Sequence, residues 1–71
     1  MNYTEATIIS SWLDDKTQLE LCAIYDHELD SSFFRVTKVI NSNVAIKANF
    51  DTRSQALEYF KSLDKKTSNI T

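Results

Sequence analysis

The residue types that could carry out chemistry are few, and most of them lie in one short segment. The only histidine, His27, lies between Asp26 and Glu28, with Asp30 close behind, and the only cysteine, Cys22, lies five residues upstream. A metal site needs three or four converging ligands, whereas adjacent residues at a strand end point in opposite directions. A cysteine in an apolar strand is typical of a buried, inert thiol. We therefore expect no metal, no cofactor and no catalytic residue, and hence no enzyme.

Composition excludes several other function classes. The chain of 71 residues contains no glycine and no proline, which excludes phosphate-binding loops, dinucleotide fingerprints, nucleophile elbows and EF-hand loops. Its length allows one domain. It has one cysteine, no basic N-terminal region before an apolar stretch, and no apolar run of about 20 residues. We expect a cytoplasmic protein without membrane contact.

The elements that must position any functional residue follow from hydrophobic periodicity. The pattern predicts an antiparallel β-meander of three to four strands, followed by one amphipathic helix that packs on one sheet face. This is an α+β fold in a single domain over residues 1–64, with a flexible tail over 65–71. The predicted strands span 6–13, 18–26, 33–40 and 44–50, and the helix spans 52–64.

Two local assignments depend on finer signals. Residues 6–13 fit a strand with Ile8 and Trp12 on one face, but a helix is the alternative. Residues 44–50 alternate cleanly, which places Val44 with the inward residues. Without glycine, we expect an asparagine of the turn Asn41-Ser42-Asn43 to take any left-handed position, and Thr52 has the pattern of a helix N-cap.

Charge is divided between the two parts of the chain. Residues 1–30 contain seven carboxylates and one lysine, whereas residues 31–71 contain seven basic side chains and three carboxylates. Such asymmetry can steer association with a charged partner. Because the whole chain is acidic, we expect a protein partner with a basic groove rather than nucleic acid. The expected contacts are acidic side chains with two aromatic anchors: Asp14, Asp15, Glu20, Asp26, Glu28, Asp30, Tyr25 and Phe33.

One helix covers only one face of a sheet, and the sequence places apolar side chains on both faces of the central strands. Large exposed apolar patches are rare on monomers. The other face would carry Phe33, Val39 and either Trp12 or Leu13. Two solutions follow from the sequence: a homodimer, or a monomer in which residues 6–13 fold over that face as a helix. The same face, or an exposed strand edge, could instead bind a partner protein.

Three stretches resemble a family of small phage-encoded anti-CRISPR proteins that inhibit type I-F systems. They are Ala23-Ile24-Tyr25-Asp26, Phe34-Arg35-Val36, and Ala48-Asn49-Phe50-Asp51-Thr52 leading into Leu57-Glu58-Tyr59-Phe60. The similarity covers roughly residues 21–63 and departs from the family at the hairpins, which lack glycine here.

The resemblance implies a non-enzymatic inhibitor that acts in the host cytoplasm. It would bind a CRISPR surveillance complex and block its access to DNA. The alternative is a small cytosolic bacterial regulator or adaptor that binds one host protein through its open sheet face.

Overall fold

A computed structural model describes residues 2–64. In chain order the elements are β1 (Tyr3–Trp12), β2 (Thr17–Asp26), β3 (Ser31–Ile40), β4 (Asn43–Phe50) and α1 (Arg53–Asp64). The strands form one antiparallel sheet in the order β1-β2-β3-β4, and α1 packs on one face. The predicted α+β meander with a C-terminal helix is confirmed. The tail predicted over 65–71 lies outside the described residues.

The core lies between α1 and the two central strands. Leu19, Leu21 and Val36 from the sheet meet Ala56 and Phe60 from the helix, and all five are buried. Leu21 and Val36 are also cross-strand partners. Burying a leucine, valine or phenylalanine side chain stabilises a fold by about 1.5–3 kcal/mol. These side chains therefore fix which face of the sheet α1 covers.

The first strand contains a β-bulge. β1 pairs with β2 from Tyr3 to Trp12, and the register shifts between Thr7 and Ile9. A bulge sets two residues opposite one, and both Ile8 and Ile9 pack against the core. The helical alternative for residues 6–13 is therefore wrong, and so is the assignment of Ile8 to the same face as Trp12.

A second bulge lies in the β3–β4 hairpin. Lys38 pairs with Ile46, but the next residue, Val39, pairs with Val44, so the register shifts by one residue. Cross-strand partners lie on the same face, and Val39 lies on the face opposite α1. Val44 is 60% exposed. Its predicted inward position is wrong because strict alternation does not continue across a bulge.

Side chains that tolerate a left-handed backbone replace glycine in the turns. The β3–β4 turn has φ of 53° at Asn41 and 69° at Ser42, and the β2–β3 turn has φ of 54° at Asp30. Two consecutive positive φ values are the pattern of a type I′ hairpin turn, which normally favours Asn-Gly. The expectation that asparagine takes any positive φ in this turn is confirmed at Asn41 and wrong at Ser42, which takes the place where glycine is normally found.

The helix begins as its sequence predicts. The backbone N–H of Gln55 donates to Thr52 Oγ1 at 3.2 Å, and that of Ala56 donates to the Thr52 carbonyl at 3.2 Å. Thr52 is therefore the N-cap. Within the described residues, no helix is long and apolar enough to span a membrane.

Candidate protein-binding surface

The face of the sheet opposite α1, called the open face here, is arranged in cross-strand rows. No described element packs over it. Because cross-strand partners share a face, the strand registers define its composition. From the β1–β2 turn towards the β2–β3 turn, the first three rows are Trp12-Gln18-Val39-Val44, Ser10-Glu20-Thr37-Lys47 and Thr7-Cys22-Arg35-Asn49. The next two are Glu5-Ile24-Phe33 and Tyr3-Asp26-Ser31.

Charge on the open face is divided along the same line as in the sequence. The strand order follows the chain order, so residues 1–30 supply β1 and β2 and residues 31–50 supply β3 and β4. Glu5 and Glu20 lie on the first strand pair, and Arg35 and Lys47 lie on the second. Residues 31–50 contain no carboxylate side chain. The sheet therefore has an acidic half, formed by the described part of residues 1–30, and a basic half.

The predicted acidic contacts do not form one continuous cluster. Asp14 and Asp15 lie in the β1–β2 turn, and Glu28 and Asp30 lie in the β2–β3 turn. β2 has ten residues between these turns, so the two groups are about 30 Å apart. Glu20 lies between them on the open face. The acidic half therefore has one carboxylate group at each end of the sheet.

Two of these carboxylates build the turns in which they lie. Asp14 Oδ1 accepts hydrogen bonds from the backbone N–H groups of Lys16 and Thr17, both at 2.9 Å. Asp26 Oδ1 accepts from the N–H of Glu28 at 3.0 Å and of Leu29 at 3.3 Å. Such side-chain turns let aspartate replace a backbone acceptor. Within residues 2–64, Asp15 and Glu28 accept no backbone hydrogen bond of this kind, so they are better probes of partner binding than Asp14 and Asp26, although Glu28 also accepts a hydrogen bond from the Asn2 side chain.

The β2–β3 turn is held to the start of the chain by polar contacts. Asn2 donates to Glu28 Oε2 at 2.9 Å, and the backbone N–H of His27 donates to the Asn2 carbonyl at 2.8 Å. The Tyr25 hydroxyl donates to the Asp30 carboxylate. That hydrogen bond raises the pKa of Tyr25. Tyr25 lies on the face of the sheet that α1 covers, whereas Phe33 lies on the open face. The two predicted aromatic anchors therefore lie on opposite faces.

Phe33 lies in the basic half. Its ring is half-buried, and the Arg35 guanidinium carbon lies 5.6 Å from its centroid. The Arg35 Nε–H donates to Asn49 Oδ1 at 2.9 Å, which fixes the guanidinium above the sheet. A cation over an aromatic face is attracted by the ring quadrupole. Phe33 and Arg35 therefore form one ordered contact on the open face.

The cysteine and the histidine are not brought together. Cys22 lies in the middle of β2, 2% exposed, with Thr7 Oγ1 3.9 Å from its sulfur. Burial raises the pKa of the Cys22 thiol, which disfavours the reactive thiolate. His27 lies in the turn beyond the end of β2, beside Thr4. Within residues 2–64, no three histidine, cysteine or carboxylate side chains form a metal-binding group.

The sequence predicted only part of the most exposed apolar row of the open face: it placed Val39 there, left Trp12 and Leu13 as alternatives, and missed Val44. Trp12 is 62% exposed and Val44 is 60% exposed, and both belong to the row with Val39. Trp12, rather than Leu13, lies on the open face, since Leu13 packs against the core. Aromatic residues are enriched in the hot spots of protein interfaces. The bulge that exposes Val44 left no signal in the sequence, because no glycine marks it.

No protein-family model, curated protein or solved structure matches the chain.

Proposed function

We propose that the protein is a non-enzymatic inhibitor that binds a bacterial nucleic-acid-handling complex through its acidic half. The observation that carries this proposal is the lateral division of charge across the sheet. Residues 1–30 have a formal charge of −6, and their strands are adjacent at one edge. A surface of this kind is complementary to a basic groove that otherwise holds a phosphate backbone.

The length of the acidic half suits an extended groove. Its turns place Asp15 and Glu28 at opposite ends of β2, about 30 Å apart, and Glu20 lies between them. In duplex DNA this distance spans about nine base pairs at roughly 3.4 Å each. Carboxylates distributed over such a length can meet several basic side chains of a groove at once, as a nucleic-acid backbone does.

The target class rests on the resemblance to type I-F anti-CRISPR proteins. Under this proposal the protein is encoded by a phage or mobile element and acts in the cytoplasm of the host. It contacts the basic channel of the CRISPR effector directly and contacts no DNA. It needs no cofactor, since occupying the channel is sufficient to prevent DNA from binding.

A competition experiment tests the proposal. Purified type I CRISPR effector complexes are incubated with the protein, and binding of a fluorescent target duplex is measured by anisotropy. The proposal predicts that the protein displaces the duplex. Binding of the labelled protein to the effector, measured without the duplex, should weaken when ionic strength rises from about 0.1 M to about 1 M, because the Debye length falls from about 10 Å to about 3 Å. Undiminished duplex binding with every effector subtype would contradict it.

A second candidate function is supported by the exposed row of the open face. Trp12 and Val44 offer an apolar contact to a partner protein, which fits a cytosolic adaptor or regulator that binds one host protein. The two candidates differ in their sensitive residues. Replacing Trp12 by serine should abolish binding by an adaptor, whereas an inhibitor that uses the acidic half should keep its effect on duplex binding.

A further inference from the structure

We infer that the open face is a self-association surface, and that two copies pack face to face around a two-fold axis parallel to the strands. This goes beyond the proposed function, since it concerns self-association through the face of the sheet; Glu20 belongs to both surfaces, and Asp15 borders the depression used below. The occupant is a second copy of the chain because the open face is complementary to itself in charge and in the order of its rows. The geometry of the rows decides between the ways in which two such faces can meet.

Charge selects the direction of the axis. A two-fold axis parallel to the strands places β1 of one copy over β4 of the other and β2 over β3, so each acidic half meets a basic half. An axis across the strands places each acidic half on another acidic half. Like charges brought together at an interface cost several kcal/mol. With the parallel axis, Glu20 lies near Lys47 and Arg35 of the partner copy, and this contact occurs twice.

The apolar row fits the same arrangement. Its residues follow the order Trp12-Gln18-Val39-Val44 across the sheet, and the parallel axis reverses this order in the partner. Trp12 then lies over the partner copy's Val44, and Val39 lies over the partner copy's Gln18. A depression of about 250 Å³ lies beside Trp12, Gln18 and Val39, and the two turns at this end of the sheet complete its lining with Asp15, Lys16, Asn41 and Ser42. The partner copy's Val39 would enter this depression, and by symmetry Val39 of the first copy would enter the corresponding depression of the partner copy.

The strand edges are less suited to self-association than the open face. An unprotected edge can pair with another strand, and proteins prevent this with bulges and with charged side chains. The outer strand β1 has a bulge at Ile8 and carries Glu5, and the outer strand β4 has a bulge beside Val44 and carries Lys47. A face-to-face dimer leaves these protected edges unpaired.

The area indicates a weak dimer. Four strands about 4.8 Å apart and about 33 Å long give a face of about 600 Å², whereas a standard stable interface buries about 800 Å² on each partner. The central rows also include charged side chains, which are depleted from the centres of strong interfaces. We therefore expect a monomer–dimer equilibrium that is visible at micromolar and higher concentrations.

A charge-exchange experiment tests this inference by sedimentation equilibrium, from about 5 µM to about 500 µM at low salt. The wild-type mass should rise with concentration from 8.2 kDa towards twice that value. Glu20→Lys and Lys47→Glu should each raise the dissociation constant about tenfold or more, because an attraction becomes a repulsion. An equimolar mixture of the two variants should dimerise again, since the mixed pair restores opposite charges at both contacts.

Matched controls separate this geometry from a general effect of net charge. Glu58→Lys and Lys61→Glu make the same changes in charge on exposed positions of α1, and both should dimerise like the wild type. Val44→Lys should weaken the dimer without touching Glu20 or Lys47. Circular dichroism melting curves verify that each variant is folded.

Three results would overturn the inference. The first is a wild-type mass of 8.2 kDa over the whole concentration range, which would leave the open face to another occupant. The second is a failure of the Glu20→Lys and Lys47→Glu mixture to dimerise better than either variant alone. The third is an equal loss of dimer in the α1 controls. None of these results depends on whether the protein inhibits a CRISPR effector.

Discussion

Replacing Phe60 by alanine is the most informative test of how α1 packs on the sheet. Phe60 is 4% exposed and belongs to the cluster that joins α1 to β2 and β3. Phenylalanine-to-alanine changes in a core cost about 3–5 kcal/mol. Below about 80 residues, a single core rarely supplies more than about 3–5 kcal/mol in total. The variant should therefore be close to its unfolding midpoint at 25 °C.

Urea and thermal unfolding followed by circular dichroism measure this loss. For domains of this size, each kcal/mol shifts Tm by roughly 4–8 °C, so Tm should fall by at least about 12 °C. Phe60→Leu keeps most of the buried volume and should recover much of the loss. Lys61→Ala, at the next and exposed position of α1, should leave Tm almost unchanged. A Phe60→Ala variant with wild-type Tm would refute the packing of α1 described above.

Three further changes test local features by the same unfolding measurements. Thr52→Ala removes the acceptor of the Gln55 N–H and should lower the free energy of unfolding by about 1 kcal/mol; a loss confined to tenths of a kcal/mol would exclude the cap. Ser42→Gly should stabilise the chain by up to about 1 kcal/mol, because a left-handed conformation is unfavourable for residues with a Cβ atom; a destabilised variant would contradict the positive φ at Ser42. Burial raises the pKa of the Cys22 thiol above its ordinary value of 9.0, so the unfolded chain loses this proton first. Stability should fall as pH rises above about 9, more steeply than in Cys22→Ser; parallel pH profiles would show that the thiol is not the cause.

Much of the fold was predictable because most of the chain obeys a simple period. Along β2, successive side chains alternate between the core face, which includes the buried Leu19 and Leu21, and the opposite face. The apolar residues of α1 recur at helical spacing. The Thr52 cap has a sequence signature that the structure confirms. Local patterns of this kind are determined by neighbouring residues, so they can be identified without tertiary contacts.

The wrong predictions of which face a side chain occupies lie at the two bulges, where tertiary packing determines the face. Ile8 packs on the core face and Val44 lies on the open face because each bulge shifts the register by one residue. Strict alternation cannot indicate such a shift, and no glycine marks either position. Of the candidate site, the division of charge was visible in the sequence. The placement of the acidic side chains at the two ends of β2 depends on the hairpin geometry and could not be predicted from the sequence. The same holds for the hydrogen bonds by which Asp14 and Asp26 build their turns.

The most direct test of the proposed function is a matched pair of charge reversals in the duplex-displacement assay. Asp15→Lys and Glu28→Lys change opposite ends of the acidic half, and Glu58→Lys makes the same change in net charge on α1. We expect at least one end variant to inhibit the effector about tenfold less well, and Glu58→Lys to inhibit like the wild type. Equal inhibition by all four proteins, or an equal loss in all three variants, would contradict binding through the acidic half.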